Sequence, residues 1–146
     1  MTMTEIVDKM VSIIEAGTGT YLTDAVVLVG DPPQGQRDDH KVTVCVVPLP
    51  SEDMADTMGP GAWDDLFRVN IRAWYPDAWN GTRKHLALAE ELKQIIRDNV
   101  TWANSSSQRA VLRKRKWGYG YDGLGAQTLN RVDIIVEYQA DGPTPS

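Results

Sequence analysis

The stretch from Phe67 to Trp74 alternates strictly between apolar and polar side chains. From 67 to 73 its odd-numbered residues are all apolar, whereas Arg68, Asn70 and Arg72 occupy even-numbered positions. A period of two is typical of a β-strand with one buried face and one face that meets water or a partner. The segment therefore predicts a strand in a sheet that is covered on one side only.

Two other segments have the periodicity of amphipathic helices. Apolar residues recur at spacings of three and four across residues 2–16, as on the buried stripe of a helix. Thr2 and Glu5 have the spacing of an N-terminal capping box, and Gly17 stands where a left-handed C-terminal cap is expected. The second helix is predicted to begin within residues 79–82 and to extend to about residue 99.

Four further segments are rich in β-branched residues or alternate like strands. They end at Gly and Pro clusters or polar turns, and they cover residues 24–29, 42–47, 109–117 and 131–138. Residues 48–63 are predicted to form a long acidic loop, and the glycine-rich residues 118–125 a flexible turn.

The predicted element order is α-β-β-β-α-β-β. It indicates an α+β fold: a mixed, mostly antiparallel sheet with two amphipathic helices packed on one face. One domain over residues 1–140 and a disordered tail over residues 141–146 are expected.

The sequence offers few parts for catalysis or for holding a cofactor or metal. His40 and His85 are its only histidines, and Cys45 its only cysteine, so a cysteine-based zinc site is excluded. The glycines of the Gly118-x-Gly120-x-x-Gly123 pattern precede a predicted strand instead of opening a helix, which the dinucleotide motif requires. We therefore expect no enzyme activity, no cofactor and no metal.

Charge is distributed unevenly along the 146 residues. Residues 1–75 carry twelve acidic and five basic side chains, whereas residues 76–146 carry eight acidic and ten basic ones, which gives the net charge of −5. No apolar stretch approaches the about 18 residues of a membrane span. An acidic and a basic half can give one molecule two surfaces of opposite sign, which bears on its partners.

A basic run at 113–116, followed by Trp117, stands out in the second half. Phosphate neutralisation needs such a cluster, and Trp117, Tyr119 and Tyr121 could stack on bases. Residues 109–121 therefore indicate a nucleic-acid contact as one alternative. A charged strand edge or a protein interface is the other.

The order and texture of these segments resemble the tail terminator, or tail completion, proteins of long-tailed bacteriophages and related tailed viruses. The similarity spans Thr2 to Tyr138. It rests on the N-terminal amphipathic helix, the valine-rich strands, the strand ending in Trp74-Tyr75-Pro76, the helix around residues 86–96 and the closing strand 131–138.

The resemblance implies a structural protein of the virion, located at the head-proximal end of the tail and assembled in the host cytoplasm. Such proteins form a hexameric ring that caps the finished tail tube, ends its polymerisation and offers the surface to which a filled head attaches. The implied partners are further copies of the chain, the tail tube protein, head-tail connector or neck proteins, and genomic DNA that passes through the lumen without specific binding. Another neck protein, such as a head-completion or adaptor protein, is the alternative of the same kind.

A ring requires two different patches that match on neighbouring copies. Our hypothesis is that an acidic group approaches a basic group on a neighbour or on the tail tube, with tryptophans supplying affinity. The acidic group is Glu52, Asp53, Asp56, Asp64 and Asp65. The basic group is Arg68, Arg72, Arg113, Lys114, Arg115 and Lys116, and the tryptophans are Trp63, Trp74 and Trp117.

Overall fold

A computed structural model of the chain describes residues 1–17, 19–30, 41–55, 63–76, 82–120 and 131–141. Within these ranges the chain forms two helices and seven strands. They are α1 (Met3–Glu15), β1 (Val26–Val29), β2 (Thr43–Pro48), β3 (Glu52–Ala55), β4 (Trp63–Trp74), α2 (Thr82–Arg97), β5 (Thr101–Ala103), β6 (Arg109–Gly120) and β7 (Arg131–Asp141).

All seven strands belong to one sheet, whose order is β1-β2-β4-β7-β6-β5. β1 and β2 run parallel, and the remaining pairs are antiparallel. β3 pairs with the first residues of β4, while β2 pairs with its last six. β2 and β3 therefore follow one another along the same side of β4, so that β2, β3 and β4 form one long, interrupted hairpin.

The core lies between the helices and one face of the sheet. Val69 and Ile71 of β4 and Ile134 and Val136 of β7 are fully buried in one cluster with the apolar stripes of α1 and α2. α1 packs against β1, β2 and β4, and α2 against β7. The α+β class, the mixed and mostly antiparallel sheet and the two helices on one face are confirmed. We call the opposite side of the sheet the open face.

Two short strands were not predicted. β3 lies within the predicted loop 48–63, and it pairs residue by residue with 63–66, so that β4 begins at Trp63 instead of Phe67. β5 pairs only with residues 109–111 of β6. Each depends on a longer partner strand for its hydrogen bonds, because three or four residues have no periodicity of their own.

The glycine-rich turn predicted at 118–125 was wrong over its first residues. β6 continues through Gly118 to Gly120 and stays paired with β7 along that length. A β-bulge between Leu112 and Lys114 inserts one extra residue into β6. Beyond a bulge, the side chains of a strand exchange faces relative to a simple alternation.

The start of α1 follows the prediction, but its end does not. Thr2 Oγ1 accepts a hydrogen bond from the Glu5 N–H at 3.2 Å, and the Thr2 N–H donates to Glu5 Oε2 at 2.8 Å, which completes the capping box. Gly17 does not adopt the left-handed conformation. Glycine permits a close approach there instead, since a Cβ would lie 3.0 Å from the Ile14 carbonyl oxygen and 2.9 Å from the end of the Ile95 side chain.

β7 reaches Asp141, one residue beyond the expected end of the domain. The remaining residues of the predicted tail, 142–146, lie outside the described ranges. Neither α1 nor α2 is long and apolar enough to cross a membrane.

Candidate functional site

Ion pairs connect the two central strands across the open face. Arg68 Nε lies 2.9 Å from Glu137 Oε2, and Arg72 Nε lies 3.5 Å from Asp133 Oδ1. Each pair joins residues directly opposite one another in the β4–β7 register. Arg131 Nε adds a second contact to Asp133, at 3.0 Å. The two arginines that we assigned to a partner's acidic group thus already contact carboxylates of their own chain.

The β-bulge divides the basic run of β6 between the two faces. Lys114 and Lys116 lie opposite Glu137 and Ile135, which places them on the open face. Arg113, at the bulge, donates from Nε to Gln139 Oε1 at 2.7 Å on the same face. Arg115 and Trp117 lie opposite Val136 and Ile134, on the helix side. The four bases therefore do not form one patch.

Positive charge dominates the middle of the open face. Between residues 66–74 of β4, 113–120 of β6 and 131–139 of β7, six basic and two acidic side chains lie on this face, namely Arg68, Arg72, Arg113, Lys114, Lys116 and Arg131 against Asp133 and Glu137. Both carboxylates already contact arginines. Within the described ranges, no carboxylate pairs with Arg113, Lys114 or Lys116. This strip of β6 therefore attracts anionic groups.

Trp117 is fixed in place by a small cluster on the helix side of β6. Lys93 Nζ of α2 lies 4.2 Å from the centre of the indole ring and 2.7 Å from Glu90 Oε1. Arg115 Nη1 donates to the Lys93 carbonyl at 2.9 Å. The hydrogen bond from Lys93 lowers the pKa of the Glu90 carboxyl below its ordinary value.

This cluster holds an aromatic surface that is only half covered. Lys93 is 9% exposed, whereas Trp117 is 46% and Tyr119 is 37% exposed. Half-exposed aromatic side chains beside an arginine are typical anchors of protein interfaces. Sequence reasoning missed Lys93 and Glu90, because nothing in the pattern of α2 indicates which strand it crosses.

The hairpin of β3 and β4 gathers the acidic group at one end of the sheet. Asp53 pairs with Asp65, and Glu52 and Asp64 lie one position away on the two strands. Glu52 and Asp53, which were predicted in a loop, therefore belong to a paired strand, and the prediction was wrong for these two residues. Asp56 lies outside the described ranges.

Two residues of the hypothesised interface have little exposed surface. Asp65 is 7% exposed and Trp74 is 6% exposed, so both are covered within the chain. Trp63 stands at the start of β4, beside Ala55 of β3.

Besides the outer sides of β1 and β5, which end the strand order, two stretches of strand have no described partner on one side. β5 covers β6 only at residues 109–111, and Leu112 N–H donates to the Val100 carbonyl at 2.7 Å. Beyond that point, no described strand pairs with the outer side of β6, which we call the β6 edge (residues 113–120). Likewise, no described strand pairs with the outer side of β3, which we call the β3 edge (residues 52–55).

The described ranges contain no group of three or more His, Cys, Asp or Glu side chains that could hold a metal ion. Cys45 is fully buried, and His40 lies outside these ranges. A cleft of about 320 Å³ lies between the C-terminal ends of α1 and α2, and Asp98 is its one ionisable lining residue.

Comparison with known proteins finds no family model that matches the chain and no matching curated protein.

Proposed function

We propose that the chain is a structural virion-assembly protein: a tail terminator whose copies form a ring that caps the tail tube, stops its polymerisation and provides the head-attachment surface. The observation that carries the proposal is the separation of charge within one sheet. The acidic strand β3 lies beside β4 and the basic strip lies on β6, so that the central strands β4 and β7 stand between them. The resemblance of the sequence to tail terminator proteins gives this arrangement its role.

Separated patches of opposite sign favour head-to-tail association. Adjacent strands lie about 4.8 Å apart, so β3 and β6, with two strands between them, are roughly 14 Å apart. At physiological salt this exceeds the Debye length of about 8 Å, and the two patches neutralise one another poorly within one copy. A neighbour that presents its acidic hairpin to the basic strip satisfies both. A heterologous contact of this kind forms a ring when its rotation closes, and an open filament when it does not.

The proposed assembly is a homohexamer at the head-proximal end of the virion tail. Its partners are the tail tube protein on one side and head-tail connector or neck proteins on the other. Genomic DNA passes through the lumen without specific binding. The role needs no cofactor and no catalysis, because shape and matching surfaces do the work.

Electron microscopy of negatively stained samples tests this role directly. The purified protein, alone and mixed with tail tubes, should give rings of uniform size and a cap at one end of each tube. Tubes grown in its presence should stop lengthening. A chain that remains monomeric at all concentrations, and leaves tubes uncapped, would contradict the proposal. Caps on isolated heads instead of tubes would favour another neck protein.

Charge reversal at the basic strip is the matched mutational test. The Arg113→Glu/Lys114→Glu variant should assemble less well than the wild type in size-exclusion chromatography and fail to complement tail assembly. The control is Arg83→Glu, which makes the same basic-to-acidic change at one exposed residue of α2. It should leave assembly intact. Unchanged assembly of the strip variant would remove the charge argument.

A nucleic-acid-binding accessory protein remains the second candidate, since Arg113, Lys114 and Lys116 form a basic strip near two half-exposed aromatics. The faces argue against it. The lysines lie on the open face and Trp117 and Tyr119 on the helix side, so one strand of nucleic acid does not meet both on a single surface. Gel shifts at low and moderate salt decide, because phosphate binding falls steeply with salt.

A further inference from the structure

The β6 edge has the backbone groups needed to bind another strand. Residues 114–120 pair continuously with β7 on their inner side, from Lys114 opposite Glu137 to Gly120 opposite Arg131, and Arg113 is the bulge residue before them. A strand paired on one side only leaves a row of N–H and C=O groups on the other, which is a template for β-strand addition. The β3 edge has the same property over four residues.

The two edges carry charges of opposite sign, and they face away from each other within the plane of the same sheet. The β6 edge carries the basic run 113–116, and the β3 edge carries Glu52 and Asp53. Two β6 edges repel one another, as do two β3 edges, whereas one of each attract. The strand order places β4 and β7 between them, so the two edges of one copy cannot pair with each other.

We propose that the β6 edge binds the β3 edge of a second copy, so that the sheet continues from one protomer into the next. The inference rests on the proposed ring and specifies its contact. Main-chain hydrogen bonds supply the pairing, and the opposite charges exclude contacts between like edges. Because the joined edges are unlike, each added copy exposes a fresh edge of either kind, which is the condition for a ring of identical subunits.

The surroundings of the β6 edge suit an added strand on both faces. On the open face, Lys114 and Lys116 are exposed and uncompensated within the described ranges. On the helix side, Trp117 is held by Lys93 at 4.2 Å with half of its surface uncovered. An incoming acidic strand thus meets ammonium groups on one face and a rigid aromatic anchor on the other.

A charge exchange between the two edges provides the first test. Lys114→Glu/Lys116→Glu should raise the protein concentration needed for half-assembly by about 10-fold or more, since like charges across a contact are strongly unfavourable. Glu52→Lys/Asp53→Lys should do the same. The chain carrying all four changes should assemble near the wild-type concentration. Circular dichroism identifies any variant whose fold is lost.

Disulfide trapping provides the second test and does not depend on charge. The pairing register sets position 54 opposite position 64 of β4, and positions 114, 116 and 118 opposite positions 137, 135 and 133 of β7. Met54→Cys is combined in turn with Lys114→Cys, Lys116→Cys and Gly118→Cys, and oxidation should give a ladder of linked copies in at least one pair. Within one copy three strand spacings alone separate position 54 from β6 by roughly 14 Å, and the offset along the strands adds to this, so the distance is too long for a disulfide bond.

The control for trapping pairs Met54→Cys with Asp8→Cys, an exposed residue of α1, and should give no ladder. The native Cys45 is fully buried and stays outside the reaction. An assembled ring that gives no ladder in any of the three pairs, or that withstands either charge reversal, overturns the strand-addition contact and leaves the proposed ring standing. A wild-type chain that forms no ring overturns both.

Discussion

Tyr138 shows how one buried side chain can join distant parts of the chain. It lies on the core side of β7, and its hydroxyl donates to the Asn99 carbonyl, just beyond α2, at 2.8 Å. Its ring meets Trp102 edge to face, with 6.1 Å between centroids. One residue thereby links the closing strand, the end of α2 and β5.

Alkaline pH should unfold the protein partly through this residue. Burial raises the pKa of Tyr138 from its ordinary value of 10.0 to about 12. The stability that its protonated form provides is fully present below pH 10 and is lost as the pH rises towards 12, because the unfolded chain ionises first. Denaturant titrations at several alkaline pH values measure this slope.

The Tyr138→Phe variant is the matched control. It keeps the ring but loses the hydrogen bond to Asn99, so we expect a loss of about 1 kcal/mol at neutral pH and a shallower alkaline slope. An alkaline slope identical to that of the wild type would show that Tyr138 is not the group responsible.

Glu91 should stabilise the segment that follows α1. Its carboxylate accepts hydrogen bonds from the backbone N–H groups of Tyr21 and Leu22, each at 3.0 Å. Glu91→Ala leaves these donors without the carboxylate, and we expect a loss of about 1–3 kcal/mol in the free energy of unfolding. Glu91→Gln retains one acceptor oxygen and should lose less. Equal stability of all three proteins in urea would refute the role.

At the scale of the element, the capping box of α1 allows a comparison of neighbouring threonines. Thr2→Ala removes the acceptor for the Glu5 N–H and should cost about 0.5–2 kcal/mol. Thr4→Ala alters an exposed residue inside the same helix, where alanine is the better helix former, and should be neutral or slightly stabilising. Thermal unfolding of both variants measures the difference, and a reversed order would contradict the cap.

An element can be predicted from the sequence when its own residues show the periodicity of a helix or a strand. The alternation of 67–74 is sufficient to locate β4 and its buried face, because burial acts on every second residue. The basic run of β6 contains no apolar alternation, so the bulge after Leu112, and with it the face of each base, appears only in the pairing with β7. β3 and β5 are defined by their partners alone.

At the scale of the whole molecule, the sequence supplied the charged groups but not their partners. Arg68 and Arg72 read as free bases on a polar face, and only the register brings Glu137 and Asp133, more than sixty residues away along the chain, opposite them. Burial of Asp65 and Trp74 likewise follows from the assembled sheet. Pairings between distant residues have no local pattern from which to predict them.

Self-association should weaken as salt is added. The proposed contact depends on attraction between opposite charges on neighbouring copies, and salt shortens the range of that attraction. The Debye length falls from about 10 Å at 0.1 M salt to about 3 Å at 1 M. Sedimentation velocity across this range should show a declining share of rings in the wild type and a weaker dependence in Lys114→Glu/Lys116→Glu. Association that strengthens with salt would indicate an apolar contact instead.

The bulge at Arg113 acts as a phase shift in the strand. Before it, even-numbered residues such as Leu112 point to the helices; after it, odd-numbered ones such as Trp117 do. Deleting that single residue would reverse the faces of all the side chains that follow it. The Lys114 and Lys116 ammonium groups would then point toward the apolar core, and the indole of Trp117 toward water. One inserted amino acid thus decides which side chains of β6 lie on each face of the sheet.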